Sequence, residues 1–146
     1  MTLARIQTLL ATLWAGMVLT VGGLAAPALF SVLERQAAGL GAGRMFSIEA
    51  RVSFVFAVLI FLLERRRVRD AVEAGQSASA VSATLLLALS ALFLTIMGEF
   101  VLHPLIEAAK AGQATTLSFG ALHGISSSLY WLKALLIGVL AWRQTQ

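Results

Sequence analysis

Four apolar stretches, each long enough to cross a bilayer, decide what this chain can fold into. A membrane-spanning helix takes about 20 mainly apolar residues. The first stretch runs from about Ile6 to Leu33, with no charge between Arg5 and Glu34. The second runs from about Met45 to Leu63, the third from about Ser79 to Ile106 and the fourth from about Leu117 to Trp142. Of the 146 residues, 59% are hydrophobic and 12% charged. A soluble domain carries roughly 25% charge, and one this small could not hide so much apolar surface. The same composition excludes disorder. The chain has no cysteine, so no disulfide framework, thiolate metal site or cysteine nucleophile is available.

The connections Glu34 to Arg44, Glu64 to Ser77 and Glu107 to Thr116 are short. Neighbouring helices are therefore expected to be antiparallel. The predicted fold is all-α: a polytopic four-helix membrane bundle, one domain over residues 1–146, with no room for a separate soluble unit. The first run is too long for a signal-peptide core, and Pro27 follows the only small-residue site, Leu24-Ala25-Ala26. It reads as a retained span. Arg5, Arg65, Arg66, Arg67, Arg69 and Arg143 fall on one side of such a bundle, and Arg35, Arg44 and Lys110 on the other. That asymmetry predicts cytoplasmic termini. The basic run Arg65-Arg66-Arg67-Val68-Arg69 reads as a topology signal that can touch anionic headgroups. The net charge of +4 comes with no base-stacking module, so the expected surroundings are a lipid bilayer and not nucleic acid. Pro27 and Pro104 occupy similar places in the first and third spans, but two prolines do not establish an internal duplication.

Ionisable residues inside a membrane ask for a partner or a job. Here they are Glu49 and Arg51 in the second span, Glu99 and His103 in the third, and His123 and Lys133 in the fourth. A rise of about 1.5 Å per residue puts Arg51 roughly 9 Å, Glu99 roughly 7 to 8 Å and His123 roughly 4 to 5 Å inside the outer boundary. Lys133 lies deeper and is expected to snorkel to the cytoplasmic face. Thr95, Glu99, His103 and Glu107 form one helical stripe, and His123, Ser126, Ser127, Tyr130 and Lys133 share an arc of roughly 120°. Arg51 shares a face with Ser47, whereas Glu49 lies about 160° away. The expected interior pair is thus Arg51 with Glu99, leaving Glu49 towards the first helix or snorkelling outward.

Pro27 and Pro104 cannot donate to the carbonyls of Gly23 and Phe100, so both helices should kink and splay at their outer ends. The expected result is a polar outer pocket lined by Glu99, His103, His123 and Ser127, with Arg51 at its wall, closing before the midplane. Three readings of this cluster stand open: a structural clamp, a proton or ion pathway, and haem or metal ligation by His103 and His123. Gly120 with Gly124, and Gly22 with Ala26, suit close helix approach. Gly39, Gly41 and Gly43 are expected to form turns in the first outer loop.

Several segments together resemble a known family. They are Trp14-Ala15-Gly16 leading to Ala26-Pro27-Ala28-Leu29-Phe30, then Leu33-Glu34-Arg35, Ala38-Gly39 and Gly43-Arg44-Met45-Phe46, and in the fourth span Phe119-Gly120-Ala121-Leu122-His123-Gly124-Ile125-Ser126. The chain resembles the small bacterial membrane proteins of the domain-of-unknown-function 4149 family, similar to eukaryotic transmembrane protein 205. Tyr130 stands where that pattern leads one to expect Asn. The resemblance implies a four-helix protein of the bacterial inner membrane and no established reaction. The eukaryotic relatives' association with platinum drugs implies a link to metals or export. No Ser/His/Asp triad, P-loop or zinc-protease helix is present. The leading expectation is a non-enzymatic bundle, with a homo-oligomer open, whose outward pocket binds or helps move a small solute or metal. A haem- or metal-binding redox protein and a structural partner subunit are the alternatives.

Overall fold

The computed structural model describes residues 2–146 and contains four helices long and apolar enough to cross a membrane: α1 (Leu3–Val32), α2 (Arg35–Glu73), α3 (Ala83–Lys110) and α4 (Phe119–Gln144). No strand occurs among the described residues. Their ends follow local chemistry. Ser82 and Ser118 cap α3 and α4 by accepting from the backbone N–H of Leu85 and Ala121, each satisfying a donor that the first turn leaves free. After α2 and α3 the chain turns at Gly75 and Gly112, with φ of 74° and 71°. There Gly75 N–H donates to Val72 and Gln76 N–H to Ala71, and Gly112 and Gln113 repeat this onto Ala109 and Ala108. This paired closure needs a left-handed residue, which glycine supplies without a Cβ clash.

The helices pack in cyclic order, α1 against α2, α2 against α3, α3 against α4 and α4 against α1. Trp14, Val18, Ile60, Ile137 and Leu140 are fully buried along the axis. The outward faces stay apolar, as at Leu13, Val55, Phe93 and Leu135, which suits lipid contact.

Two expectations change. The segment Glu34 to Arg44 is not a loop: α2 begins at Arg35 and takes Gly39, Gly41 and Gly43 into its helix. Glycine costs a helix about 1 kcal/mol per residue. Ala38 and Ala42 are buried on the same segment, and packing on α1 offsets that cost. At its other end α2 runs on through the basic block, where Glu64–Arg67 and Arg66–Asp70 pair along the helix. With 39 residues it is about 58 Å long, nearly twice a hydrocarbon core of ~30 Å.

The disturbance expected at the prolines takes the form of π turns. Val21–Ala25 precedes Pro27, and Met97–Leu102 precedes Pro104. The N–H of Ala26 reaches back five residues to Val21, and that of His103 five to Gly98. Proline lacks the N–H and presses on the carbonyl four residues back; a widened turn accommodates both, and such turns are frequent at functional sites.

The separation between Pro27 and Pro104 recurs along the bundle. The same offset relates buried Gln7 to Thr84, Ala11 to Ala88, Trp14 to Ala91, Val18 to Thr95, Ala57 to Ala134 and Ile60 to Ile137. The pair α1–α2 and the pair α3–α4 thus present corresponding interior faces, a relation that the two prolines alone did not establish.

Candidate functional site: a polar-floored cavity at the proline end

A cavity of about 1050 Å³ lies between the helices at the end holding Pro27 and Pro104, away from the chain termini. Its walls are mainly apolar and include Phe46, Phe30 and Trp131. Its deepest polar group is an ion pair: Lys133 Nζ donates to Glu49 Oε2 at 2.7 Å. The two side chains are 5% and 2% exposed. They come from α2 and α4, across the bundle axis.

This pair corrects the expected one. Arg51 is exposed on the outside of α2, and no ion pair joins it to Glu99. Glu49 and Arg51 lie on opposite sides of the helix, so only one can face inward. The deciding signal is the buried stripe Ala38, Ala42, Glu49, Ser53, Ala57, Ile60 and Glu64, spaced at three, four and seven residues. Small residues mark the face that neighbouring helices approach, and Glu49 is on it. Lys133 does not snorkel. It continues the buried α4 line of Ala134, Ile137 and Leu140, and its ammonium sits 4.7 Å from the Tyr130 ring centre.

Every polar atom of this floor has a partner. Ser53 Oγ donates to Glu49 Oε1, and Trp14 Nε1 donates to Ser53 Oγ at 2.8 Å. The Tyr130 hydroxyl donates to the Val18 carbonyl at 2.7 Å. Gly22 in the π turn makes room for that ring, since a Cβ there would lie 2.4 Å from Tyr130 Cε1. No buried side-chain N or O among the described residues lacks a partner.

Higher on the wall, α3 carries the expected stripe. Ser47 Oγ donates to Glu99 Oε2 at 3.2 Å and lies 3.3 Å from His103 Nδ1. His103 Nδ1 is 3.4 Å from Glu99 Oε2, and its Nε2 is 4.0 Å from Glu107 Oε1. Glu107 accepts from Lys110 Nζ at 2.8 Å. The imidazole of His103 therefore stands between two carboxylates on one helix face. His123 and Ser127 also line the cavity, but His123 is exposed and stacked on Phe119, 5.8 Å between centroids. No group of three or more His, Asp or Glu among the described residues is disposed to hold a metal.

A second buried cluster, at the end with the termini, was not anticipated. Gln7 Nε2 donates to Glu64 Oε2 at 2.8 Å, and Arg67 donates to Glu64 Oε1 at 3.0 Å. Nearby, Gln144 Nε2 donates to Thr84 at 2.8 Å. The spacing of Gln7, Ala11, Trp14 and Val18 on one face of α1 is the signal that could have found it.

Residues 9–115 match the family described as a domain of unknown function, DUF4149. The chain belongs to this family. The DUF4149 match takes in Glu49, Glu99 and His103 and ends before α4, so Tyr130 and Lys133 lie outside it. No curated protein and no solved structure matches the chain, and the likeness to eukaryotic transmembrane protein 205 rests on the residues quoted above alone. Membership in DUF4149 and four apolar helices together fit an integral membrane protein.

Proposed function

We propose that this DUF4149 protein is a non-enzymatic membrane protein of the bacterial inner membrane whose cavity binds, or helps to move, a small solute. The observation that carries this reading is the cavity of about 1050 Å³ ending on a buried Glu49–Lys133 pair. Ligand sites are typically about 300 to 1,000 Å³, mostly apolar, with a few placed polar groups. Ionised groups inside a span are otherwise costly to keep. The basic residues support an orientation with both termini in the cytoplasm and the cavity opening to the other side. The haem or metal reading draws no support from the histidines. His103 faces carboxylates through both nitrogens, and His123 stacks on Phe119.

The chain has no native cysteine, so single cysteines test this directly. Ser127→Cys in the cavity wall should react with a charged, membrane-impermeant thiol reagent from the side opposite the termini. Ser53→Cys, behind the ion pair, should stay protected until the protein is unfolded. A Ser127→Cys protein that reacts only from the side of the termini, or not at all, overturns the reading.

A further inference from the structure

We propose that the cavity takes a lipophilic organic monocation, neutralised at Glu99. The inference deepens the solute-site reading and rests on it. It follows from the balance of charge against shape. Three ionisable groups facing the deep part of the cavity are decisive: Glu49 and Lys133 at the floor and Glu99 on the α3 wall. Glu49 and Lys133 neutralise each other at 2.7 Å, and Ser53 and the Tyr130 ring complete their contacts. Glu99 is left with the Ser47 hydroxyl and the His103 imidazole. Neither neutralises it while the imidazole is uncharged, and the deep cavity then carries one net negative charge.

The other charged groups do not cancel it. Glu107 and Lys110 pair with each other at the rim. Arg35 is exposed at the mouth, where solvent screens it. Arg51, on the outside of α2, does not line the cavity. From α1 come only Gly22, Ala26, Pro27 and Phe30, none of them charged. An anion entering this space would meet Glu99 and would have to take Lys133 from Glu49. A neutral solute would leave the carboxylate unpaired in an apolar chamber. A monocation satisfies Glu99 and leaves the floor pair intact. Phe46, Phe30 and Trp131 supply apolar, polarisable walls, and aromatic faces attract cations, most strongly when water is excluded.

Two ions of like shape and opposite sign test this: tetraphenylphosphonium and tetraphenylborate, titrated into detergent-purified full-length protein, with triphenylphosphine oxide as the neutral comparison. The phosphonium should bind at least tenfold more tightly than the borate. Glu99→Gln should weaken the phosphonium at least tenfold and leave the neutral oxide within about threefold. Ser47→Ala, which removes a hydrogen bond but no charge, should hold the phosphonium within about threefold. A borate that binds as tightly as the phosphonium overturns the cation proposal while leaving the solute cavity standing. A folded Glu99→Gln protein that binds the phosphonium unchanged does the same. Absence of binding by all three probes overturns both readings. Should Glu99→Gln fail to fold, the comparison of phosphonium with borate on the native chain still decides the sign of the site.

Discussion

Breaking the Glu49–Lys133 pair from one side should cost far more than removing it whole. At 2.7 Å and an effective dielectric of about 20, the attraction is about 6 kcal/mol. Desolvation takes back several kcal/mol per ion, so the net worth of the pair is small. A single replacement exposes the remaining desolvation penalty, which is capped by the cost of neutralising the stranded group. An ordinary lysine gives up its proton at pH 7 for about 4.6 kcal/mol, and an ordinary glutamate takes one for about 3.7 kcal/mol. Glu49→Gln should therefore destabilise by up to about 4.6 kcal/mol and Lys133→Met by up to about 3.7 kcal/mol, with the double change well below their sum. The measurement is a double-mutant cycle by reversible unfolding in mixed micelles. Additive single changes, each within about 1 kcal/mol of the parent, would refute the assignment of a desolvated pair.

Gly22→Ala drives a Cβ to 2.4 Å from Tyr130 Cε1 and should cost about 1 to 3 kcal/mol by overpacking; an unchanged melting midpoint would show that the ring does not lie there. Tyr130→Phe removes the hydrogen bond to the Val18 carbonyl and should cost about 1 kcal/mol in the same assay. Gln7→Leu removes a donor to Glu64 while Arg67 remains, with an expected loss of about 1 to 3 kcal/mol; a neutral result would argue against the cluster. For orientation, Gln76→Cys should label from the cytoplasmic side and Gly41→Cys from the other, and the reverse pattern would overturn the charge argument.

The four spans were legible because hydropathy acts over whole turns and tolerates errors of a few residues. The ends of α2 were not. Glycines and arginines between apolar runs read as loop, yet packing of Ala38 and Ala42 and the pairs along the basic block keep the helix going. The α3 stripe was legible because Thr95, Glu99, His103 and Glu107 share one helix at intervals of four residues. The partner of Lys133 was not, since a contact between α2 and α4 depends on how each helix is rotated in the bundle. A single helix shows that Glu49 and Arg51 oppose each other. Only the small-residue stripe through Ser53 and Ala57 tells which of them faces inward.

The repeat between the two helix pairs explains why the cavity sits where it does. A bundle of two corresponding halves places both π turns, and both prolines, at the same end, so the turns at that end are widened on α1 and α3 together. Symmetric small residues there would close the gap. Instead the correspondence breaks in a consistent direction: the counterpart of Gly22 is Glu99, that of Ala26 is His103, that of Ser53 is Tyr130 and that of Phe56 is Lys133. On each of these four lines the first half keeps the smaller or less polar residue, and the second half carries a longer polar side chain, of which Lys133 reaches across the axis. Glu49, whose counterpart is Ser126, runs the other way and is the carboxylate that Lys133 crosses the bundle to meet. At the opposite end Gln7 and Arg67 are answered by Thr84 and Gln144 and Glu64 by Ala141, and the hydrogen bonds are closed. One end of the frame is therefore closed by polar contacts, and the other carries both prolines, both π turns and unlike charges.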